Sequence, residues 1–196
     1  VAGDSKRIQK FAVLYGPPGS GKSTVLNILE LLFQGYTTTF DAGALGSKSD
    51  QFATSSLSKS SLVAIDQDGD LSRIESNGLL NSIVAHETIL INEKGVRRYP
   101  KRINAILFVG TNKPVKITDS KSGIIRRLID ISPTGNKLDV SEYQTLMTQV
   151  RDELGRIANH CLGVYRSLGK HYYDAYKPQD MMMKTNVLYN FVEENY

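Results

Sequence analysis

The chain has a single cysteine, Cys161, so no intrachain disulfide can form and cysteine usage gives no sign of an oxidising compartment. No stretch approaches the ~20 apolar residues a membrane-spanning helix needs. No signal peptide is visible, and the first residue is Val1, so the sequence reads as a fragment of a longer protein. The only histidines, His86, His160 and His171, lack metal-ligand spacing. No serine or histidine is arranged beside an acid as a hydrolase triad requires. Internal repeats and low-complexity tracts are missing too. Neither sign of charge dominates: 24 Lys and Arg face 20 Asp and Glu, and the net charge of +4 is too mild to name a partner alone.

What is present suits one ordinary globular domain. The chain has 196 residues, 40% of them hydrophobic and 22% charged, enough for a sizeable core. Short apolar runs at 11–15, 61–66, 103–110 and 127–131, with the β-branched "YTTTF" at 36–40, predict strands. Val25, Ile28, Leu29 and Leu32 recur at helical spacing, with Gly35 placed as a C-cap. Ile74, Leu79, Leu80, Ile83 and Val84 mark a second helix face, and 41–61 reads as loop with a short helix near Asp50 to Leu57. From Tyr143 to Leu168 an apolar stripe that includes Met147, Val150 and Cys161 predicts helix, divided near Gly155. Cys161 is expected to pack in that stripe, and Met181, Met182 and Met183 to fill gaps in the core. Strands alternating with helices argue an α/β fold with a parallel sheet and a helical carboxy-terminal third.

The sharpest signal is "GPPGSGKST", residues 16–24. Gly16, Pro17, Pro18, Gly19, Ser20, Gly21, Lys22 and Ser23 fit G-x-x-x-x-G-K-[ST] without a mismatch, between a predicted strand and a predicted helix. Glycines let backbone N–H groups turn inward around phosphates, and the start of a helix favours an anion. Lys22 then reaches the β- and γ-phosphates, Ser23 ligates Mg²⁺, and Thr24 continues the loop into the helix. ATP and Mg²⁺ are the cofactors expected.

The second signal is "AIDQDGD", residues 64–70. Three aspartates at alternate positions suggest a calcium loop, but counting from Asp66 puts Leu71 where an EF-hand needs glycine and Asn77 where it needs glutamate. The alternative is the acidic end of a buried strand. Asp66 then holds magnesium, and Asp68 polarises water where Gln67 occupies the usual glutamate position. Two weaker features follow. Asn112 ends the apolar strand "ILFVGTN" and suits a γ-phosphate contact, or forms a plain turn with Lys113 and Pro114. Arg126 and Arg127 precede "LIDI" and suit a phosphate contact as arginine fingers, or an ion pair with Asp130. Between "TILIN" and "INAILF", Lys94, Arg97, Arg98, Lys101 and Arg102 cluster around Tyr99 and a turn-forming Gly95. That composition suits the backbone and bases of single-stranded nucleic acid.

In this order, "GPPGSGKS", an acidic strand end, a basic hairpin, "GTNKP" and "RR" before a strand resemble a superfamily 3 helicase. The resemblance is to the helicase domain of phage and plasmid primase-helicases and their poxvirus relatives. "GLLNSIVAHETILINEKG", "ELGRIANHCLGVYRSLG" and "NVLYNFVEENY" (186–196) are similar to further family stretches. The resemblance implies an AAA+-like P-loop core at 1–135 with a basic hairpin at about 88–105, and a helical segment at 136–196. It implies a ring, expected to be a hexamer, with ATP between subunits. Lys22, Ser23, Asp66 and Asn112 would serve from one side, and Arg126 or Arg127 from the next. Lys94 and its neighbours would track one DNA strand through the channel. A primase domain or protein would be a further partner, and the setting would be the cytoplasm of a bacterial host or an infected cell.

Overall fold

A computed structural model describes residues 4–47, 49–72, 74–115 and 123–184. The predicted strands form one five-stranded sheet in the order β2-β3-β6-β1-β7. Its members are β1 (Phe11–Tyr15), β2 (Thr37–Thr39), β3 (Val63–Asp66), β6 (Ile106–Thr111) and β7 (Leu128–Ile131). Every pairing in it is parallel. Parallel sheets are covered on both faces, which is why β1 and β3 read as continuous apolar runs rather than alternating ones. β4 (Thr88–Ile91) and β5 (Tyr99–Arg102) form a separate antiparallel hairpin.

The helices are α1 (Ser5–Ile8), α2 (Lys22–Leu32), α3 (Ala42–Gly46), α4 (Gly78–Val84), α5 (Val140–Asp152), α6 (Leu154–Leu168) and α7 (Gln179–Lys184). On one face of the sheet a large cluster joins Phe11, Val13, Leu107 and Val109 to Leu45, Leu80, Ile83 and the inward side of the hairpin, Ile89 and Ile91. On the other, Leu14, Val63 and Ile65 pack against Leu26 of α2. Each such side chain, once fully buried, contributes about 1.5–3 kcal/mol. The register of α2 differs from expectation: Leu26 is fully buried and Val25 exposed. The glycine-rich loop fixes this, because Lys22 and Leu26 stand one turn apart and share the inward face.

Both sheet edges are covered. Thr38 Oγ1 on β2 donates to Ser56 O (3.1 Å) in the 3₁₀ turn Ser55–Ser58, and Asp130 on β7 is held by the Tyr176 hydroxyl and by the Met181 N–H (3.0 Å). Asp130 therefore does not pair with Arg126 or Arg127. Met181 is buried while Met182 and Met183 are exposed. The segment 41–61 carries α3 as well as the 3₁₀ turn, so its helical part begins earlier than the composition suggested. The carboxy-terminal helices break at Glu153, two residues before Gly155. Met147 and Val150 of α5 are buried, but α6 buries no residue and Cys161 is exposed, contrary to the packed stripe expected. The stripe is real as a pattern, yet the sheet is already covered on that side by α2. The stretch 186–196 lies outside the described residues.

Candidate functional site

In a parallel sheet the loops after the strands gather at one edge. Tyr15 is level with Thr111, and Asp66 with Val109, so the loop from Gly16, the Asp66 strand end and Asn112 all meet there. The glycine-rich loop closes between β1 and α2, pinned by Gly16 N–H to Thr111 O at 3.3 Å. Gly19 and Gly21 have φ of +76° and +94°, which L side chains rarely adopt, and a β-carbon on Gly16 would stand 2.9 Å from Ser20 Oγ. Only glycine builds this turn, and a tight glycine-rich turn closed around a cation fits a polyphosphate.

That cation is Lys22. It is buried, and its Nζ donates to Gly16 O (2.8 Å) and Pro17 O (2.9 Å), with Ser20 Oγ at 3.5 Å. Burial holds its pKa below the usual lysine value, while the Asp68 carboxylate works the other way. Ser23 is exposed on the first turn of α2.

Asp66 is half-buried at the end of β3. Its Oδ2 accepts from Ala42 N (2.8 Å), at the start of α3, and its Oδ1 from Asp68 N (3.2 Å). Burial raises its pKa; those two N–H groups oppose the rise, and Asp41 and Asp68 add to it. A carboxylate so placed fits Mg²⁺, which neutralises it and needs few protein oxygens because it keeps most of its waters. Asp68 is exposed. Gln67 turns away: its Nε2 donates to Asn27 Oδ1 on α2 at 3.1 Å, and its buried Oε1 has no partner among the described residues. Gly69 admits no side chain here, since a β-carbon would stand 2.6 Å from Val109 and 2.7 Å from Asp66 Oδ2.

Asn112 is exposed beyond β6, in a turn that Thr111 Oγ1 closes on Lys113 N (3.1 Å) and Lys113 O (3.0 Å). Lys113 Nζ meets Asp70 Oδ2 at 2.6 Å, tying this loop to the one after β3. The Lys113 ammonium, helped by Ser72, draws Asp70 down to a pKa of about 2. Sequence reasoning passed over this pair; two opposite charges just past neighbouring strand ends were the available signal.

The arginines lie at the other edge. Leu128 pairs with Phe11, the first residue of β1, so Arg126 and Arg127 precede the sheet rather than follow it. Five residues of β1 separate them from the glycine-rich loop, roughly 16 Å along the strand. The two are not alike. Arg126 is exposed, its carbonyl held by Lys10. Arg127 is buried, donates through Nη1 to Gly123 O (3.1 Å), and has its pKa lowered first by burial and then by Arg126.

The hairpin arrives from the same edge, since Arg102 leads through Ile103–Ala105 into β6; buried His86 Nδ1 donates to Ile103 O at 2.7 Å and fixes its base. Lys94, Arg97, Arg98 and Arg102 are exposed and in no ion pair among the described residues. Tyr99 and Lys101 are not free: the Tyr99 hydroxyl donates to Glu93 Oε1 (2.6 Å), and Lys101 Nζ donates to Ser58 O. The sequence showed their types but not that each folds back on its own scaffold. The remaining histidines lie apart, His171 against Asp174 Oδ2 at 2.7 Å and His160 exposed. No described helix is long and apolar enough to cross a membrane.

Fold and site thus define an α/β protein whose parallel sheet gathers a glycine-rich loop, a strand-end aspartate and an asparagine at one edge. Residues 14–127 match the family of unknown function DUF5906, and the chain belongs to that family. The match runs from the end of β1 to Arg127. No curated protein matches the chain. Among solved structures, the apo structure of the NrS-1 C-terminal region (305–718) is similar at a TM-score of 0.65 and 18% identity, over 95% of this chain and 45% of that one. The A-form apo structure of the same region gives 0.55 and 19% over 76% of this chain and 35% of that one. A JCV helicase aligns more loosely, at 0.45 and 14% over 92% of this chain and 58% of that one. The chain thus spans less than half the length of the NrS-1 structures, and the likeness is one of fold.

Proposed function

We propose that this chain is the ATPase module of a DNA helicase of the superfamily 3 type, for phage- or plasmid-like replication, working as a ring on single-stranded DNA. The observation that carries the reading is the division of charged groups between two edges of one sheet. A cradle with a buried lysine, a magnesium-type aspartate and an asparagine occupy one edge; an exposed arginine and a basic hairpin occupy the other. Arg126 is too far to serve its own chain's cradle, so its use for catalysis requires a second subunit.

In this reading the N–H groups of Gly19 and residues 21–24, with Lys22, bind the triphosphate, and Ser23 and Asp66 would hold Mg²⁺. Bound there, Mg²⁺ would supply charge neutralisation to the phosphate oxygens. Asn112 orients the attacking water, and Asp68 accepts its proton, because Gln67 is committed to Asn27. Arg126 of a neighbour stabilises charge developing on the transferred phosphoryl group. Lys94, Arg97 and Arg98 at the hairpin tip hold the DNA backbone, so closure around the nucleotide shifts the DNA contact.

A second reading is a nucleotide-binding scaffold or loader that assembles on DNA with little turnover. Gln67 favours it, since its amide is occupied away from the site. A turnover assay with and without single-stranded DNA separates the two. Hydrolysis that rises on adding DNA supports the motor. Tight ATP binding with negligible turnover supports the scaffold, and neither binding nor turnover defeats both.

A further inference from the structure

The geometry points to Lys137 as a second phosphate-binding lysine, one that grips the nucleoside-side phosphates of the bound nucleotide; this rests on the nucleotide reading above. After β7 the chain turns at Gly135 and crosses back over the glycine-rich loop before entering α5. A β-carbon on Gly16 would stand 3.8 Å from Pro133 Cδ, and one on Gly19 would stand 3.5 Å from Lys137 Cε and 3.9 Å from its Nζ. The ammonium thus lies against the crown of the cradle. It is exposed and takes part in no hydrogen bond or ion pair among the described residues, so it is free to meet an anion.

The segment is also pinned at both ends. Pro133 rests on Gly16 at one. At the other, Asp139 caps α5, with Oδ1 accepting from Glu142 N (2.8 Å) and Ser141 Oγ (2.7 Å), while its own N–H reaches Glu142 Oε2 (3.3 Å). Lys137 stands two residues before this capping box. Its position is therefore set by the fold rather than by a wandering loop, which lowers the ordering cost of a contact.

Strand order decides which phosphates it meets. Asp66, Asp68 and Asn112 follow β3 and β6, which lie on one side of β1; Lys137 follows β7, on the other side. The terminal phosphate must face the acids and the asparagine if hydrolysis is to occur there. The nucleoside end then points toward β7, and Lys137 contacts the α- and β-phosphates. Diphosphate and triphosphate share that contact.

The test is calorimetric titration of the full chain with MgATP and with MgADP. Lys137→Ala should weaken both by the same factor, about ten-fold for a lost charge-assisted contact. Lys137→Arg should stay within about two-fold of wild type, because the charge is kept. Undiminished affinity of Lys137→Ala for ADP, or a loss confined to ATP, overturns the assignment while leaving the cradle reading intact. A wild-type chain that binds neither nucleotide overturns the cradle reading and this one with it. The side chain is exposed and caps nothing, so both variants should fold, and an unchanged thermal midpoint checks this.

Discussion

The two edges of the sheet are built by opposite means. The edge after the strands is built from backbone: a loop only glycine can form, N–H groups holding Asp66, and a lysine folded onto the carbonyls of Gly16 and Pro17. The edge before the strands carries exposed side chains, Arg126 and the hairpin's Lys94, Arg97, Arg98 and Arg102, which form no ion pair among the described residues. The first is held by its own hydrogen bonds, the second is open to solvent. In the proposed reading, one chain carries both complements of a phosphoryl-transfer site and cannot bring them together. The contrast teaches that, if the proposed function holds, assembly rather than any further motif completes the site.

Removing the buried cation is the strongest way to break this contrast. Lys22→Ala should abolish measurable hydrolysis and weaken MgATP binding, read by phosphate release and by titration. Arg126→Ala should cut turnover by about 10³-fold while leaving nucleotide affinity nearly unchanged, because in the proposed reading it acts on another subunit's transition state. Arg127→Ala should act differently, lowering the thermal midpoint, since it removes a buried side chain bonded to Gly123. Equal effects of the two arginines on turnover, at equal stability, would blur the distinction drawn between them.

Next in size is the hairpin. Replacing Lys94, Arg97 and Arg98 together by alanine should weaken single-stranded DNA binding and lower the slope of log affinity against log salt by about 2. MgATP binding should be untouched, because these side chains lie on the other edge. Unaltered DNA affinity would remove the hairpin from the nucleic-acid surface.

Asp66→Asn sharpens the contrast in another way. Burial raises the Asp66 pKa, so the folded state binds its proton more tightly than the unfolded chain does. Stability then falls as pH rises from the unfolded value through the folded one, and at neutral pH the ionised carboxylate is a net cost. The asparagine variant should therefore lose hydrolysis, and its thermal midpoint should lack the fall with rising pH that the carboxylate causes. The smallest effect belongs to Asp70, whose pKa of about 2 lies below its unfolded value. Its contribution is present above roughly pH 4 and is lost as pH falls toward 2; with both partners well exposed, it is worth under about 1 kcal/mol. Lys113→Ala should weaken that acid dependence of the thermal midpoint, leaving the part due to Ser72.

Much of the backbone-built edge was legible in the sequence. Glycine spacing and a strand-loop-helix context give the cradle directly, and four apolar residues ending in Asp66 give the acidic strand end. All five sheet strands and the first hairpin strand were marked by apolar or β-branched runs. The side-chain edge was less legible. "RR" does not say which arginine turns inward, since a 3₁₀ turn decides that, and "YPKR" does not say that Tyr99 and Lys101 bond Glu93 and Ser58. Periodicity also misled: α6 has a clear apolar stripe but no sheet face left to cover. Lys137 was passed over because nothing periodic marks "SPTGNKLD"; its place follows only from β7 lying beside β1.

The most direct test of a site completed between chains is complementation. Lys22→Ala and Arg126→Ala chains, each inactive alone, are mixed in equal amounts and assayed for ATP hydrolysis with single-stranded DNA. A subunit lacking Arg126 keeps an intact cradle and can receive Arg126 from a neighbour lacking Lys22. The account predicts recovery to about a quarter of the wild-type rate under random mixing in a closed ring. A mixture as inactive as its components, in particles shown to contain both chains, would contradict it.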